Sequence, residues 1–274
     1  MHQDERTIND LDIRNDSEKT ENAVLVEHKN HQFGWRVIQK RLSKNEDESA
    51  IKRWKNLQDV VALASLLREN LLNNQPVSSF LYYPSNRSVN VSIEIPEKSI
   101  FDPISAWQTL ESKIDYKEFF RWFRGREDIE NEEKVKISRG DGEGLKPFVK
   151  SLEYKDAQLS VVRRTLKALF DNFNHPRVRR KTEEFVIEKD YKDYAFSQLS
   201  DGEKNIIVLI CDITRRLAIC NEDLKDPLEG TGIVMIDEIE LHLHPSWQRM
   251  IIPKLTEIFP NLQFIVTTHS PQVL

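Results

Sequence analysis

A chain of 274 residues can bury a sizeable core, as one large domain or as two small ones. With 31% charged residues and a formal net charge of −5 it has no global basic field to draw it to nucleic acid or an anionic membrane, so any such contact must be local. Its two cysteines, Cys211 and Cys220, are too few for a disulfide framework or a cysteine-based zinc site, and no apolar run reaches the ~20 residues that span a bilayer. Met1-His2-Gln3-Asp4-Glu5 lacks the basic and apolar regions of a secretion signal. A reducing cytoplasm is therefore the expected compartment, with both thiols buried and free.

Residues up to about Thr20 are polar and without pattern. Ala23-Val24-Leu25-Val26 reads as a strand and Lys29-Asn30 as a turn. Phe33, Trp35 and Val37 then alternate with polar neighbours, which predicts a β-hairpin. Ser43 to Ser49 is a charged loop. Ile51, Trp54, Leu57, Val61, Ala64, Leu67 and Leu71 follow helical spacing, predicting a packed helix that ends before Asn73-Asn74-Gln75-Pro76. Val77 to Tyr83 is a strand that runs into the turn Pro84-Ser85-Asn86-Arg87. Strict alternation of Val89, Val91, Ile93 and Ile95 predicts a half-buried strand stopped by Pro96.

From Ile100 to about Asp190 the character changes. Tyr116, Phe119, Phe120 and Phe123 form one aromatic stripe on a helix, expected to be core and not a platform for stacking bases. Glu127 to Lys134 reads as a solvated helix face or a charged linker. Ser138 to Gly144 holds three glycines in a flexible loop. Leu159, Val162, Leu166, Leu169, Phe170 and Phe173 predict an amphipathic helix stopped near Asn174-His175-Pro176. The basic run Arg177, Arg179, Arg180, Lys181 precedes an alternating strand at Phe185 and Ile187. It reads as charge that protects a strand edge, with a nucleic-acid contact as the alternative. No sustained heptad pattern appears.

Three stretches near the end carry chemistry. Phe196-Ser197-Gln198-Leu199-Ser200-Asp201-Gly202-Glu203-Lys204 puts Ser200, Asp201 and Gly202 at a helix start, where free N–H groups favour an anion, and opens the apolar segment Ile206 to Ile213. Gly232-Ile233-Val234-Met235-Ile236-Asp237-Glu238 predicts a strand buried on both faces of a parallel sheet, with two acids at its carboxyl end. There the first acid suits a Mg²⁺ ion, and the second suits orienting or deprotonating a water. Phe264-Ile265-Val266-Thr267-Thr268-His269-Ser270-Pro271 is another buried strand, ending in a polar cluster with a histidine. His242 and His244, two residues apart on a loop, are read as conformational or interface residues in preference to a metal pair.

In this order the three stretches resemble the signature loop, Walker B strand and switch histidine of the ATP-binding-cassette superfamily. The nearest likeness is to the heads of chromosome-maintenance and recombination-repair ATPases and to the Septu and retron ATPases of bacterial defence. It is strongest over Tyr194 to Leu274. The resemblance implies an α/β, P-loop NTPase-like core sheet with flanking helices and a mostly helical insertion, incomplete at both ends. Residues 1–99 would be the remnant of a first lobe, 100–190 a helical lobe with a short arm, and 191–274 the ATPase core.

The resemblance further implies ATP and Mg²⁺ as cofactors, with Asp237 at the metal and Glu238 polarising the lytic water. His269 would donate to the γ-phosphate. Leu199, Ser200, Asp201, Gly202 and Glu203 would close over the nucleotide of an opposite subunit, although Asp201 stands where Gly is usual. Phe80 to Arg87 is similar to a loop that senses Mg²⁺ and the γ-phosphate, with Asn86 or Arg87 in place of its glutamine. Glu240 to Pro245 occupies the position of the loop that crosses the dimer interface. No Gly-x-x-x-x-Gly-Lys-[Ser/Thr] occurs in the chain, so the backbone cradle, Lys and hydroxyl of a phosphate loop are missing, and turnover of ATP by this chain alone is not expected.

The implied function is a head that dimerises on nucleotide, as a homodimer or higher oligomer, and gates a partner nuclease in bacterial defence or DNA maintenance. No membrane partner is expected, and nucleic acid stays open as one. The alternative is a non-catalytic assembly module that binds a partner protein or nucleic acid.

Overall fold

The computed structural model describes residues 19–28, 31–40, 52–73, 75–85, 116–139 and 146–273, and the chain divides into two compact units, residues 1–69 and 70–274. Asn86, Arg87 and the strand expected over Val89 to Ile95 lie outside the described residues.

The first unit holds an antiparallel meander of β1 (Lys19–His28), β2 (His31–Lys40) and β3 (Lys52–Lys55). The first two strands are the expected hairpin, with His28 paired to His31. The helix expected from Ile51 starts later. Lys52–Lys55 pairs with β2, Trp54 opposite Val37, and α1 spans Leu57–Leu72. Between them Asn56 takes a φ of 59°, a left-handed conformation that Asn tolerates better than most residues and that separates strand from helix. Cross-strand pairing thus overrides the local helical spacing. The buried stripe of α1 is Leu63, Leu67 and Leu71, while Leu57 and Val61 are exposed.

The second unit has a helical layer, an antiparallel sheet and a parallel sheet. Its helices begin with α2 (Tyr116–Ser138), α3 (Lys146–Glu153) and α4 (Ala157–Leu169). Phe119, Trp122 and Phe123 of α2 are buried, and Phe185 meets the Phe119 and Phe123 rings edge-on at 5.7 and 5.1 Å, so this part of the helix is core as expected. In the following acidic run Asp128, Asn131 and Glu132 form the expected solvated face, but two acids depart from it. Glu127 and Glu130 are buried, Glu127 accepting the Val178 N–H at 3.1 Å and Glu130 accepting Arg163 at 2.8 Å and the Asp156 N–H at 3.0 Å. Their charges have partners from other elements, which composition cannot reveal.

Helix α4 is capped by Asp156, whose carboxylate accepts the Leu159 N–H at 2.9 Å. It ends at Leu169, before the expected stop. Phe173 already lies in β5 (Phe173–Arg179), which pairs antiparallel with β6 (Glu184–Lys189), followed by β7 (Lys192–Ala195). His175-Pro176 falls where the register shifts between Asn174 and Arg177, a bulge that accommodates a residue without an N–H. The three arginines of the basic run have ion-pair partners: Arg177 and Arg179 pair with Asp193, and Arg180 with Asp128 at 2.9 Å.

Helix α5 (Asp201–Cys220) is buried continuously from Ile206 to Cys220 and packs against α4 and β4 (Ser79–Tyr83). It carries both cysteines, which are buried and outside any disulfide. Among the described residues no helix is long and apolar enough to cross a membrane. The parallel sheet has the order β4-β8-β9, with β8 (Gly232–Ile236) central and β9 (Leu262–Val266) reached through α6 (Pro245–Ile258).

A side chain at Gly232 would put its Cβ 2.2 Å from the Ser79 carbonyl oxygen, so only Gly lets these strands begin together. Strand β8 is not enclosed on both faces as expected: Val234 and Ile236 are buried, whereas Ile233 and Met235 are half-buried. The unbroken apolar run hides that alternation. Register then positions the site. Tyr83 pairs with Ile236, and Ile236 with Val266, so three strands end in one row and their next residues emerge along one carboxyl edge.

Candidate functional site

Asp237 and Glu238 leave the central strand, and Thr267 to His269 leave its neighbour. Thr267 ties them together. Its hydroxyl donates to Asp237 Oδ1 and accepts the Glu238 N–H at 2.8 Å, while its N–H donates to the Ile236 carbonyl at 3.0 Å and its carbonyl accepts from Ile239 at 3.1 Å. The Asp237 N–H in turn donates to the Tyr83 carbonyl at 2.8 Å. Glu238 is held at a φ of 48°, which for a residue with a Cβ costs of order 1 kcal/mol and persists because the neighbours over-determine it.

The third acid is Glu240. Its Oε1 accepts the His269 N–H at 2.6 Å, which anchors the turn that carries the imidazole. Burial opposes its charge, yet hydrogen bonds from the Thr268 side chain and the His269 N–H bring its carboxyl below the usual range. The His269 ring is exposed, with Nε2 3.8 Å from Glu238 Oε1. Three carboxylates and one imidazole thus meet at one sheet edge. Asp237, one of whose oxygens accepts from Thr267, is a hard oxygen donor at the strand end of the kind that carries a hydrated divalent cation through a single carboxylate.

The stretch Leu199 to Glu203 lies at the start of α5. Leu199 is a core residue, 5% exposed, so its side chain seats the turn. Ser200 caps the helix and forms a reciprocal box with Glu203: the Ser200 N–H donates to Glu203 Oε2 at 3.0 Å, and the Glu203 N–H donates to Ser200 Oγ at 3.3 Å. Lys189 holds the other Glu203 oxygen at 2.6 Å. Burial raises the Glu203 carboxyl, but Lys189 and Ser200 together take it below its ordinary value. Asp201 is exposed, with its carboxylate 3.3 Å from Lys204.

Gly202 makes the contact between this helix start and the acid-bearing turn. A Cβ there would lie 2.6 Å from the His242 carbonyl oxygen, so the close approach requires Gly. Ser200 to Glu203, His242 to His244 and Trp247 line an open depression of about 550 Å³ beside it. His242 has a φ of 64° and is exposed. His244 spends its Nδ1 as the N-cap of α6, accepting the Ser246 N–H at 3.3 Å. Among the described residues no cluster of three His, Cys, Asp or Glu is arranged to hold a metal ion.

The structure therefore brings Asp237, Glu238 and His269 together and sets Ser200 to Glu203 against the turn that follows the acids. Asn86 and Arg87 follow Tyr83 in the sequence, but they lie outside the described residues. The sequence reading passed over Thr267 as the connecting residue. A Thr directly after an apolar strand, one residue before another Thr and two before the histidine, was the available signal; that strand is not buried as expected, since Ile265 is half exposed.

The family AAA_15, described as AAA ATPase domain, matches residues 2–274 of this chain. Curated relatives include the Retron Ec83 probable ATPase of Escherichia coli, 38% identical over 69% of this chain and 42% of its own length. The Retron Vc95 probable ATPase of Vibrio cholerae is 33% identical over 85% of this chain and 52% of its own. A Septu protein PtuA of Bacillus mycoides is 31% identical over 46% of this chain and 18% of its own. The chain thus spans about half the length of the retron relatives it matches. Among solved structures, an SMC head bound to the winged-helix domain of ScpA aligns over 94% of this chain and 68% of its own at 12% identity, with a TM-score of 0.45.

Proposed function

Since this chain belongs to the AAA_15 family of AAA ATPase domains, we propose that it supplies the water-activating and signature elements of an ATPase head that associates with a second head on nucleotide. The proposal includes gating of a partner effector, a nuclease, in bacterial defence or DNA maintenance, within the cytoplasm. The observation that carries it is the tie of Asp237, Glu238 and His269 through Thr267 and Glu240, with Gly202 packed against the same turn.

In this reading Asp237 holds Mg²⁺, which when bound to the nucleotide neutralises charge on the phosphate oxygens. Glu238 orients a water and takes its proton at a carboxylate oxygen. His269, exposed and carried on the anchored turn, donates from Nε2 to the terminal phosphate. Ser200 and the free N–H groups at the start of α5 offer an anion site to the nucleotide of a facing subunit. The 274 residues contain no phosphate loop of the Gly-x-x-x-x-Gly-Lys-[Ser/Thr] type, so this reading assigns them the water-activating and signature elements and not the nucleotide cradle.

The test is equilibrium binding of γ-labelled ATP to the purified chain, with and without Mg²⁺. The expected result is weak Mg²⁺-dependent binding that falls on Asp237→Asn, with no turnover by the chain alone. Absence of any nucleotide binding would favour the second reading, an assembly module without catalysis. Turnover that disappears in Glu238→Gln would show the phosphate loop to be dispensable.

A further inference from the structure

Away from the site, four charged or polar side chains gather around Asp212 of α5, two from the same helix and two from other elements. Arg215 Nη2 donates to Asp212 Oδ1 at 2.9 Å and Arg216 Nε to Oδ2 at 2.7 Å, all three residues being buried. The hydroxyl of Tyr83, fully buried at the end of β4, donates to Asp212 Oδ2 at 3.0 Å. From α2, Glu118 Oε1 accepts Arg215 Nη1 at 3.0 Å. Two guanidinium groups face two carboxylates, so the cluster balances its charge. Burial opposes the charge of Asp212, yet Arg216 and Arg215 bring its carboxyl down to about 2.

Packing alone does not call for this cluster, because replacing a buried ion-pair set by apolar side chains of similar volume is often neutral or stabilising. What ionic hydrogen bonds add is direction, and here the direction is imposed on Tyr83. The carbonyl of this same residue accepts the Asp237 N–H, the first backbone bond beyond the end of β8.

We infer that Tyr83 is a positioning residue for the acid pair: its hydroxyl is bolted to Asp212 of α5, its carbonyl sets where Asp237 projects, and Glu118 links that bolt to α2. This deepens the reading above and rests on it for the role of Asp237. A displacement of α2 would then reach the acid pair through Arg215, Asp212 and Tyr83.

The experiment is amide hydrogen exchange on the full chain, comparing wild type with Tyr83→Phe, which removes one hydroxyl and keeps the ring. The Asp237 N–H is expected to exchange about tenfold faster, the scale of one lost hydrogen bond, while the Val234 and Phe264 amides within the strands stay unchanged. Glu118→Gln, at a partly exposed position, is expected to give a smaller rise at Asp237, and Glu118→Asp to reverse part of it. It carries the same test if Tyr83→Phe does not fold. Unchanged exchange at Asp237 overturns the proposal. So does an equal rise at all strand amides, since that is the signature of lost stability alone. No nucleotide enters the measurement, so a failure of ATP binding leaves its outcome standing, and a null result here leaves the ATPase reading intact.

Discussion

Thr267 Oγ1 accepts the Glu238 N–H at 2.8 Å across 29 residues of sequence, and the same hydroxyl donates to Asp237. One side chain therefore holds a left-handed residue and orients the acid beside it. Thr267→Val keeps the shape and removes both bonds. The expected loss is about 1–3 kcal/mol, because the Glu238 N–H loses its partner while its φ remains costly. Urea unfolding measures it. Thr267→Ser should recover most of the loss, and equal midpoints for wild type and Thr267→Val would show that the tie contributes nothing.

Gly202→Ala sets two effects against each other. Replacing Gly by Ala in a helix gains at most about 1 kcal/mol from backbone entropy. The new Cβ would lie 2.6 Å from a backbone carbonyl, which cannot swing aside, and overpacking of this kind costs about 1–3 kcal/mol. A net fall in thermal stability is expected, with faster amide exchange confined to residues 240–244. A rise in melting temperature would mean that the helix start and the turn are not in contact.

The acid branch of the stability curve should depend on Asp212. Its carboxyl is held at about 2 when folded, below the unfolded value near 3.9, so its contribution is fully present above pH 4. As pH falls through the folded value that contribution disappears, an effect of about 2 kcal/mol. Asp212→Asn should flatten stability between pH 4 and pH 2, besides lowering it at neutral pH, because Arg216 and Arg215 lose the carboxylate they share while Arg215 keeps Glu118. Identical slopes in that window for the two proteins would contradict the cluster.

The aromatic stripe of α2 gives a prediction that separates core from stacking surface. Phe123 is fully buried with Phe185 5.1 Å away, so Phe123→Ala is expected to cost about 3–5 kcal/mol. Differential scanning calorimetry would show it. A substitution that leaves the unfolding transition in place would return the stripe to the surface.

The hairpin at residues 19–40, the strand ending at Tyr83, the aromatic core stripe and the strands that precede Asp237 and His269 were all legible, because each writes its own periodicity or its own punctuation. The extra strand at Lys52–Lys55 was not, since four residues cannot outvote a helical spacing that continues past them. The same holds for Glu127 and Glu130, whose solvated appearance depends on ignoring Arg163 and Asp156 from other elements.

By itself the sequence determined which chemical groups this protein owns: two acids after one apolar run, an imidazole after another, a glycine at a helix start. Tertiary structure alone decided that they share an edge, because the strand register and the Thr267, Glu240 and Tyr83 bonds join residues separated by 29 positions or more, and such pairings leave no local pattern to read.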